Sequence, residues 1–216
     1  MIRTAPEGRW FIVGSWVIAA LLILAAVRTG TTGWIAAAAV WFVLAVWVVA
    51  FFRDPERHWA RGDRLIVAPA DGKVVSVIEV DEPSFLGQRC RRVSIFMNVF
   101  DCHVNRYPTD GTVAYRHYNA GAFGHAAAEK SSLSNEQASV GLTTPRGKVL
   151  VRQIAGLVAR RIVTDHEVGT AVHQGERLGM IRFGSRVDLF LPLETRVLVR
   201  VGDTTRVGVT VVAEWS

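Results

Sequence analysis

The chain has 216 residues, half of them hydrophobic, with 25 basic against 19 acidic side chains and a formal net charge of +6. That length suits one domain with an appendage rather than a string of domains. Only two cysteines, Cys90 and Cys102, occur, which excludes a small scaffold built on disulfides and marks both as small core residues.

The hydrophobic residues crowd the start of the chain. The run from Trp10 to Val27, "WFIVGSWVIAALLILAAV", carries no charge, and neither does "WIAAAAVWFVLAVWVVAFF", from Trp34 to Phe52. At about 1.5 Å per residue each reaches roughly 27–29 Å, the thickness of a bilayer's hydrocarbon core. Only the polar turn "RTGTTG" separates them, so the pattern predicts a transmembrane helical hairpin. A cleaved signal peptide accounts for one run but not for the second, and no small-residue cleavage site lies between them. Trp10, Trp34 and Trp59 fall near the ends of the runs, where interfacial anchors belong, whereas Trp16, Trp41 and Trp47 lie inside them. Arg3 and Arg9 precede the hairpin, Arg53, Arg57, Arg61 and Arg64 follow it, and the turn holds only Arg28. The positive-inside rule then places both ends, and everything from about residue 60 on, in the cytoplasm. A basic domain tethered there is drawn to an anionic leaflet. With no zinc-finger spacing and no aromatic-and-basic stacking motif, no nucleic-acid partner is expected.

The charged junction "FFRDPERHWARGD" closes the anchoring segment, 1–59, and the pattern changes for the domain 60–216. In "KVVSVIEV", Val74, Ile78 and Val80 are expected on one face, with Lys73 and Glu79 on the other. "TRVLVRV" alternates Val197, Val199 and Val201 with Arg196, Leu198 and Arg200, and "TRVGVTVV" repeats the pattern. These read as half-buried strands, and "RRVSIFMNV", "GTVAYRHY", "KVLVRQI" and "RVDLFLP" as further ones. Turn dipeptides separate them, among them Asp-Gly at Asp71 and Asp110. Only 123–137, "FGHAAAEKSSLSNEQ", is a candidate for a short helix. The expected fold is a mainly β domain, an antiparallel sandwich or barrel-like sheet, behind an N-terminal transmembrane α-helical hairpin.

Several chemistries fail on the residues alone. The six histidines form no H-E-x-x-H, and no Cys or His pair has a zinc spacing, so no metal site is expected. A G-x-S-x-G elbow, a phosphate loop and a Rossmann glycine run are absent. The three lysines, Lys73, Lys130 and Lys148, give little room for a pyridoxal-phosphate enzyme, whose usual fold needs a longer chain. Three clusters remain. "APADGKVVSV" is an acidic turn opening into a strand. "FMNVFDCHVNRYPTDG", Phe96 to Gly111, leaves a strand through a polar knot with His103, Asn105 and Arg106; a histidine in such a place is more often structural than catalytic. "IRFGSRVD" sets Gly184 beside Ser185 at the head of a strand, which is either an ordinary turn or a bond meant to break.

Together, "FFRDPERH", "PADGKV", "FMNVFDCHVNRYPTDG", Asn135-Glu136, "VRQIAGLVARRI" and "GERLGMIRFGSRVDLFLP" resemble the phosphatidylserine decarboxylase family in its short, membrane-associated form. The likeness covers roughly three-quarters of the chain, and the Gly-Ser pair is its most specific motif. The resemblance implies a proenzyme that cuts itself between Gly184 and Ser185, giving chains 1–184 and 185–216. Ser185 Oγ attacks the Gly184 carbonyl, and glycine permits the strained approach. β-Elimination and hydrolysis then leave a pyruvoyl group where Ser185 stood. That ketone forms a Schiff base with the substrate amine and accepts the electrons left by carbon dioxide, with neither pyridoxal phosphate nor a metal.

The implied substrate is phosphatidylserine in the membrane and the product phosphatidylethanolamine. The two fragments are expected to remain a heterodimer, because 32 residues cannot keep a core alone. A homo-oligomer is left open. By the same resemblance Asp71 is a motif acid that orients a base for processing, and His103 is a histidine linked to decarboxylation, as proton donor at the reacting carbon. Longer bacterial members carry a second histidine three positions on, serving self-cleavage, where this chain has Arg106. The base that activates Ser185 is therefore open. Arg182 and Arg186 flank the cut, either to hold the lipid phosphate or as solvated strand residues. The competing readings are a non-catalytic membrane-anchored β domain acting as scaffold or lipid binder, and a β-rich metallopeptidase, for which clustered His and Asp ligands are not found.

Overall fold

The computed structural model describes residues 3–57, 62–121, 135–156, 161–182 and 185–216. The chain divides into two compact units, Met1–Glu56 and Arg57–Ser216.

In the first unit a 3-10 turn, Pro6–Gly8, leads into α1 (Arg9–Thr29), and α2 (Thr32–Phe51) follows two residues later. Gly30 makes the reversal with φ +63°, and its N–H bonds the Ala26 carbonyl. Along the two helices the buried residues are the small Ser15, Ala19, Ala38 and Ala45, with Phe51 buried at the end of α2. Trp41 Nε1 reaches across from α2 to the Ser15 carbonyl at 2.9 Å. Large apolar side chains face outward instead, among them Trp10 (80% exposed), Val27 (77%) and Val40 (71%). A soluble helix hides one apolar stripe; these two are apolar all round, with small residues where they meet. Both are long and apolar enough to cross a membrane, as the two uncharged runs predict. Trp59 lies outside the described residues.

The second unit is built of strands β1 (Leu65–Val67), β2 (Gly72–Glu82), β3 (Gln88–Met97), β4 (Val104–Arg106), β5 (Gly111–Asn119), β6 (Gln137–Thr144), β7 (Gly147–Ala155), β8 (Ile162–Thr164), β9 (Ala171–Val172), β10 (Arg177–Ile181), β11 (Ser185–Pro192), β12 (Arg196–Val197), β13 (Thr204–Thr205) and β14 (Val211–Glu214). One eight-stranded sheet has the order β13-β2-β3-β11-β7-β6-β5-β9, and two three-stranded sheets run β4-β10-β8 and β1-β14-β12. All pairings among the described residues are antiparallel. The main core takes side chains from the large sheet (Val93, Ile95, Val151, Leu189) and from both small ones (Ile66 and Val212; Leu178 and Ile181). This is the expected mainly β fold behind two apolar helices.

The last part of the chain supplies the middle of the large sheet. All eight residues of β11 are buried. Its Val187, Leu189 and Leu191 enter the main core, each stabilising by roughly 1.5–3 kcal/mol. On the other face Phe190 packs with Leu86, Cys90 and Leu150. Both cysteines are buried thiols.

Three expectations need correction. A bulge between Val74 and Ser76 shifts the β2 register by one residue, so alternation breaks there. Val74 and Val77 face the main core, Val80 packs on the opposite face with Cys90 and Phe190, and Ile78 is 37% exposed. "TRVLVRV" is a strand only at Arg196–Val197, and Val201 is left 63% exposed. "TRVGVTVV" is no single strand: a turn at 206–210, with Gly208 at φ +70°, separates β13 from β14. Alternation of valines marks a half-buried surface, but a turn can break it without changing composition. The helix candidate 123–137 falls outside the described residues as far as 134, and Gln137 opens β6.

Candidate active site

Ser185 opens β11 and is completely buried. It pairs with Met97 at the end of β3 and with Ala155 at the end of β7. Position 185 is thereby fixed from both sides by ladder partners. Its partner in the motif, Gly184, lies outside the described residues, as does Phe183.

The Ser185 hydroxyl donates to Met97 Sδ at 3.4 Å. A thioether accepts weakly, so the hydroxyl is aimed without being committed to a strong acceptor. Asn105, on β4, points its Nδ2 at the same sulfur, 3.7 Å away. Gln153, on β7, donates from Nε2 to Asn105 Oδ1 at 2.8 Å. Ser185, Met97, Asn105 and Gln153 are all 0% exposed, so two side-chain amides lie in the core beside the candidate nucleophile. The polar knot in the sequence pointed to Asn105. Gln153 and Met97 were missed; the one available signal was an amide at an inward position of the apolar strand "KVLVRQI".

His103 is also 0% exposed. The turn before it is braced by its own side chains: Asn98 N–H bonds Asp101 Oδ2 at 2.8 Å, and Phe100 N–H bonds Asn98 Oδ1 at 2.8 Å. The Asp101 carbonyl sits 3.1 Å from His103 Nδ1. A carbonyl only accepts, so Nδ1 carries a proton and Nε2 is the nitrogen able to gain or lose one. The His103 carbonyl accepts the Ile181 N–H at 3.3 Å, which ties the histidine to the end of β10, four residues ahead of Ser185.

Asp71 lies at the same end of the large sheet. Lys73, Phe96, Arg186 and Ile154 form one rung across β2, β3, β11 and β7, with Asp71 just beyond Lys73 and Ser185 just before Arg186. The Asp71 carboxylate accepts two bonds from Arg57, at 2.5 and 2.8 Å, and one from the Val207 N–H at 2.7 Å. Its described partners are therefore an arginine and an amide; His103 is not among them. Gly72, which follows, has φ +140°, and a Cβ there would lie 2.1 Å from the Phe96 carbonyl oxygen. Only glycine lets β2 come this close to β3. The Asp-Gly dipeptide is therefore a sheet contact as well as a turn.

Arg106 donates to the Gly175 carbonyl at 3.0 Å, so that position is bonded to the 173–176 turn. Arg186 is 2% exposed and ion-paired with Asp188 at 2.9 Å, on the strand face opposite the main core. It is therefore not a solvated strand residue. Arg182 donates its backbone N–H to the Arg161 carbonyl at 3.3 Å. Beside it, Arg116, Tyr118, Arg161 and Thr164 line an open cavity of about 340 Å³. The Glu136 carboxylate, bonded at 2.9 Å, pushes the Tyr118 phenol's pKa up. Among the described residues no group of three or more His, Cys, Asp or Glu could hold a metal ion.

Comparison with known proteins points the same way. Residues 44–213 match the family model for phosphatidylserine decarboxylase. A protein of Symbiobacterium thermophilum is 48% identical over 209 residues, covering 96% of this chain and 94% of its own. One from Magnetococcus marinus is 48% identical over 170 residues, 78% of each chain. One from Rickettsia typhi is 43% identical over 213 residues, 97% and 89%. All three are named phosphatidylserine decarboxylase proenzyme. With the family model spanning most of its length and relatives this similar from end to end, the chain belongs to the phosphatidylserine decarboxylase family.

Proposed function

We propose that the chain is made as a proenzyme, cuts itself between Gly184 and Ser185, and converts phosphatidylserine to phosphatidylethanolamine by releasing carbon dioxide. The observation that carries this reading is the position of Ser185: a fully buried hydroxyl at the first residue of the central strand, held from both sides and bonded, among the described residues, only to a weak acceptor. The family match and the named relatives weigh against a non-catalytic scaffold.

Attack by Ser185 Oγ on the preceding carbonyl turns the amide into an ester. Elimination then frees chain 1–184 as a carboxylate. Hydrolysis of the dehydrated residue at 185 releases ammonia and leaves a pyruvoyl group. The residues present fit such a group: the strand keeps position 185 in register after the cut, and among the described residues the side chains clustered there are a thioether, a methyl and two amides, none able to add to a ketone. Once formed, the group supplies an electrophilic carbonyl that stores the electrons released with carbon dioxide. His103, once its Nε2 has taken a proton from solvent, delivers that proton to the substrate carbon, while the Asp101 carbonyl holds the Nδ1 proton and so leaves Nε2 as the nitrogen that exchanges. Asp71, gripped by Arg57 and the Val207 amide, holds β2 and the 206–210 turn at the site and, in the processing step, orients a base.

After the cut, β11 stays between β3 and β7, β13 beside β2, and β14 beside β1. That interleaving supports a permanent heterodimer of 1–184 and 185–216. The hairpin of segment 1–59 anchors the catalytic domain 60–216. The basic residues flanking it favour the cytoplasmic face of the inner membrane, where a diacyl substrate remains in its leaflet.

The intact mass of the purified full chain tests this. Two masses are expected, the smaller fragment with a blocked pyruvoyl terminus, and Ser185→Ala gives one mass and no carbon dioxide. A single unbroken wild-type chain that still decarboxylates the lipid overturns the proposal.

A further inference from the structure

Gln153 poses a question that the self-cleavage chemistry leaves unanswered. Its side chain is 0% exposed. Nε2 is used, donating to Asn105 Oδ1 at 2.8 Å, but Oε1 is buried with no hydrogen-bond partner among the described residues. A buried amide oxygen without a donor keeps the full cost of its lost hydration, and native cores seldom tolerate one without cause.

Its surroundings narrow the cause. Gln153 pairs with Val187 across β7 and β11, on the strand face that also carries Ala155, the ladder partner of Ser185. Its amide partner Asn105 and the Ser185 hydroxyl both converge on Met97 Sδ. The unmatched oxygen thus belongs to the side-chain cluster around position 185. It is an acceptor waiting for a donor in a site where a hydroxyl is to be consumed and an amine is to arrive.

We propose that Gln153 is a substrate-recognition residue: Oε1 accepts an N–H of the substrate's primary amino group, and Asn105 holds the Gln153 amide in the orientation this requires. The inference rests on the proposed decarboxylase reading and deepens it by naming what selects a primary-amine head group. An ammonium donor makes this bond charge-assisted, and such bonds are about twice as strong as neutral ones. A head group whose nitrogen bears three methyl groups has no N–H to offer and leaves the oxygen unpaired.

The test uses the full chain in lipid nanodiscs and the variants Gln153→Met, which keeps the length but removes the oxygen, and Gln153→Asn, which keeps the amide but withdraws it by one methylene. Cutting is followed by intact mass. Binding of dihexanoyl-phosphatidylethanolamine and of its choline counterpart is measured calorimetrically. The wild type is expected to prefer the ethanolamine lipid. Both variants are expected to cut, to lose about 10–100-fold in ethanolamine-lipid affinity and leave choline-lipid affinity unchanged, and to raise KM for dihexanoyl-phosphatidylserine more than they lower kcat. If both variants cut and discriminate as the wild type does, Gln153 plays no part in recognition while the decarboxylase reading stands. If the wild type itself is uncut, it is that reading which fails. If Gln153→Met remains uncut, the affinities of Gln153→Asn decide; both variants folded by circular dichroism but uncut would place Gln153 in self-cleavage and overturn the inference.

Discussion

Gly72→Ala separates a sheet contact from an ordinary turn. At φ +140° the position is outside what a side chain accepts readily, and an added Cβ would sit 2.1 Å from the Phe96 oxygen and 2.9 Å from its carbon. Both are backbone atoms of β3, so no rotamer change relieves the clash; β2 must part from β3 beside the Lys73–Phe96 pair. The dihedral costs about 1–3 kcal/mol and the forced shift about 1–3 kcal/mol more. A midpoint of about 4 kcal/mol lowers Tm by roughly 8–16 °C for a domain of this size. Because Asp71 precedes this residue, its bonds to Arg57 and the Val207 amide should loosen and self-cleavage should slow. Gly87→Ala is the control: φ there is +71°, but nothing lies within 4 Å of the added carbon, so only a dihedral cost of about 1–2 kcal/mol applies. Differential scanning fluorimetry of the detergent-solubilised chain and a gel time course of cutting measure both effects. If Gly72→Ala melts within about 2 °C of the wild type, well short of the expected shift, and cuts at the same rate, the close approach of β2 to β3 is not what requires glycine.

Burial by itself would raise the Glu82 pKa, but the Leu86, Phe85 and Ser84 amides and Arg152 outweigh it and hold the carboxyl below its ordinary value of 4.5. A carboxyl with a depressed folded pKa stabilises above its unfolded value and loses that contribution as pH falls through the folded one. Glu82→Gln should therefore lower stability by about 1–3 kcal/mol at about pH 7, with the gap narrowing progressively below pH 4.5 in denaturant titrations. Burial, with Glu82 and Asp81 nearby, pushes the Cys90 thiol up to about 11, and Cys102 is 1% exposed; a thiol-reactive dye should label neither in the native protein and both after denaturation. His103→Ala should cut fully yet release no carbon dioxide, read on a denaturing gel and by gas release; an uncut chain would instead make His103 the base that activates Ser185.

The apolar hairpin was legible because its signal is local. Two uncharged runs of bilayer length fold as helices whatever surrounds them, since each helix satisfies its own backbone. β3, β5, β7 and β11 were legible for a similar reason, as dense β-branched and aromatic runs between turn signals. The motifs around Asp71, His103 and Ser185 could be read as fragments of one site only through their likeness to a family. Nothing in their spacing says that Asp71 and Ser185 meet at one end of a sheet from distant positions in the chain.

What the amino-acid order determined alone is composition-driven: helices where charge is absent, strands where β-branched residues crowd, glycine where a backbone must turn or pass close. Tertiary structure decided the rest, because strand pairing is a long-range choice. The β2 bulge that sends Val74 and Val80 to opposite faces, the burial of Arg186 against Asp188, and the convergence of Ser185, Asn105 and Gln153 around one methionine sulfur all depend on which strand lies beside which. No window along the chain contains that information.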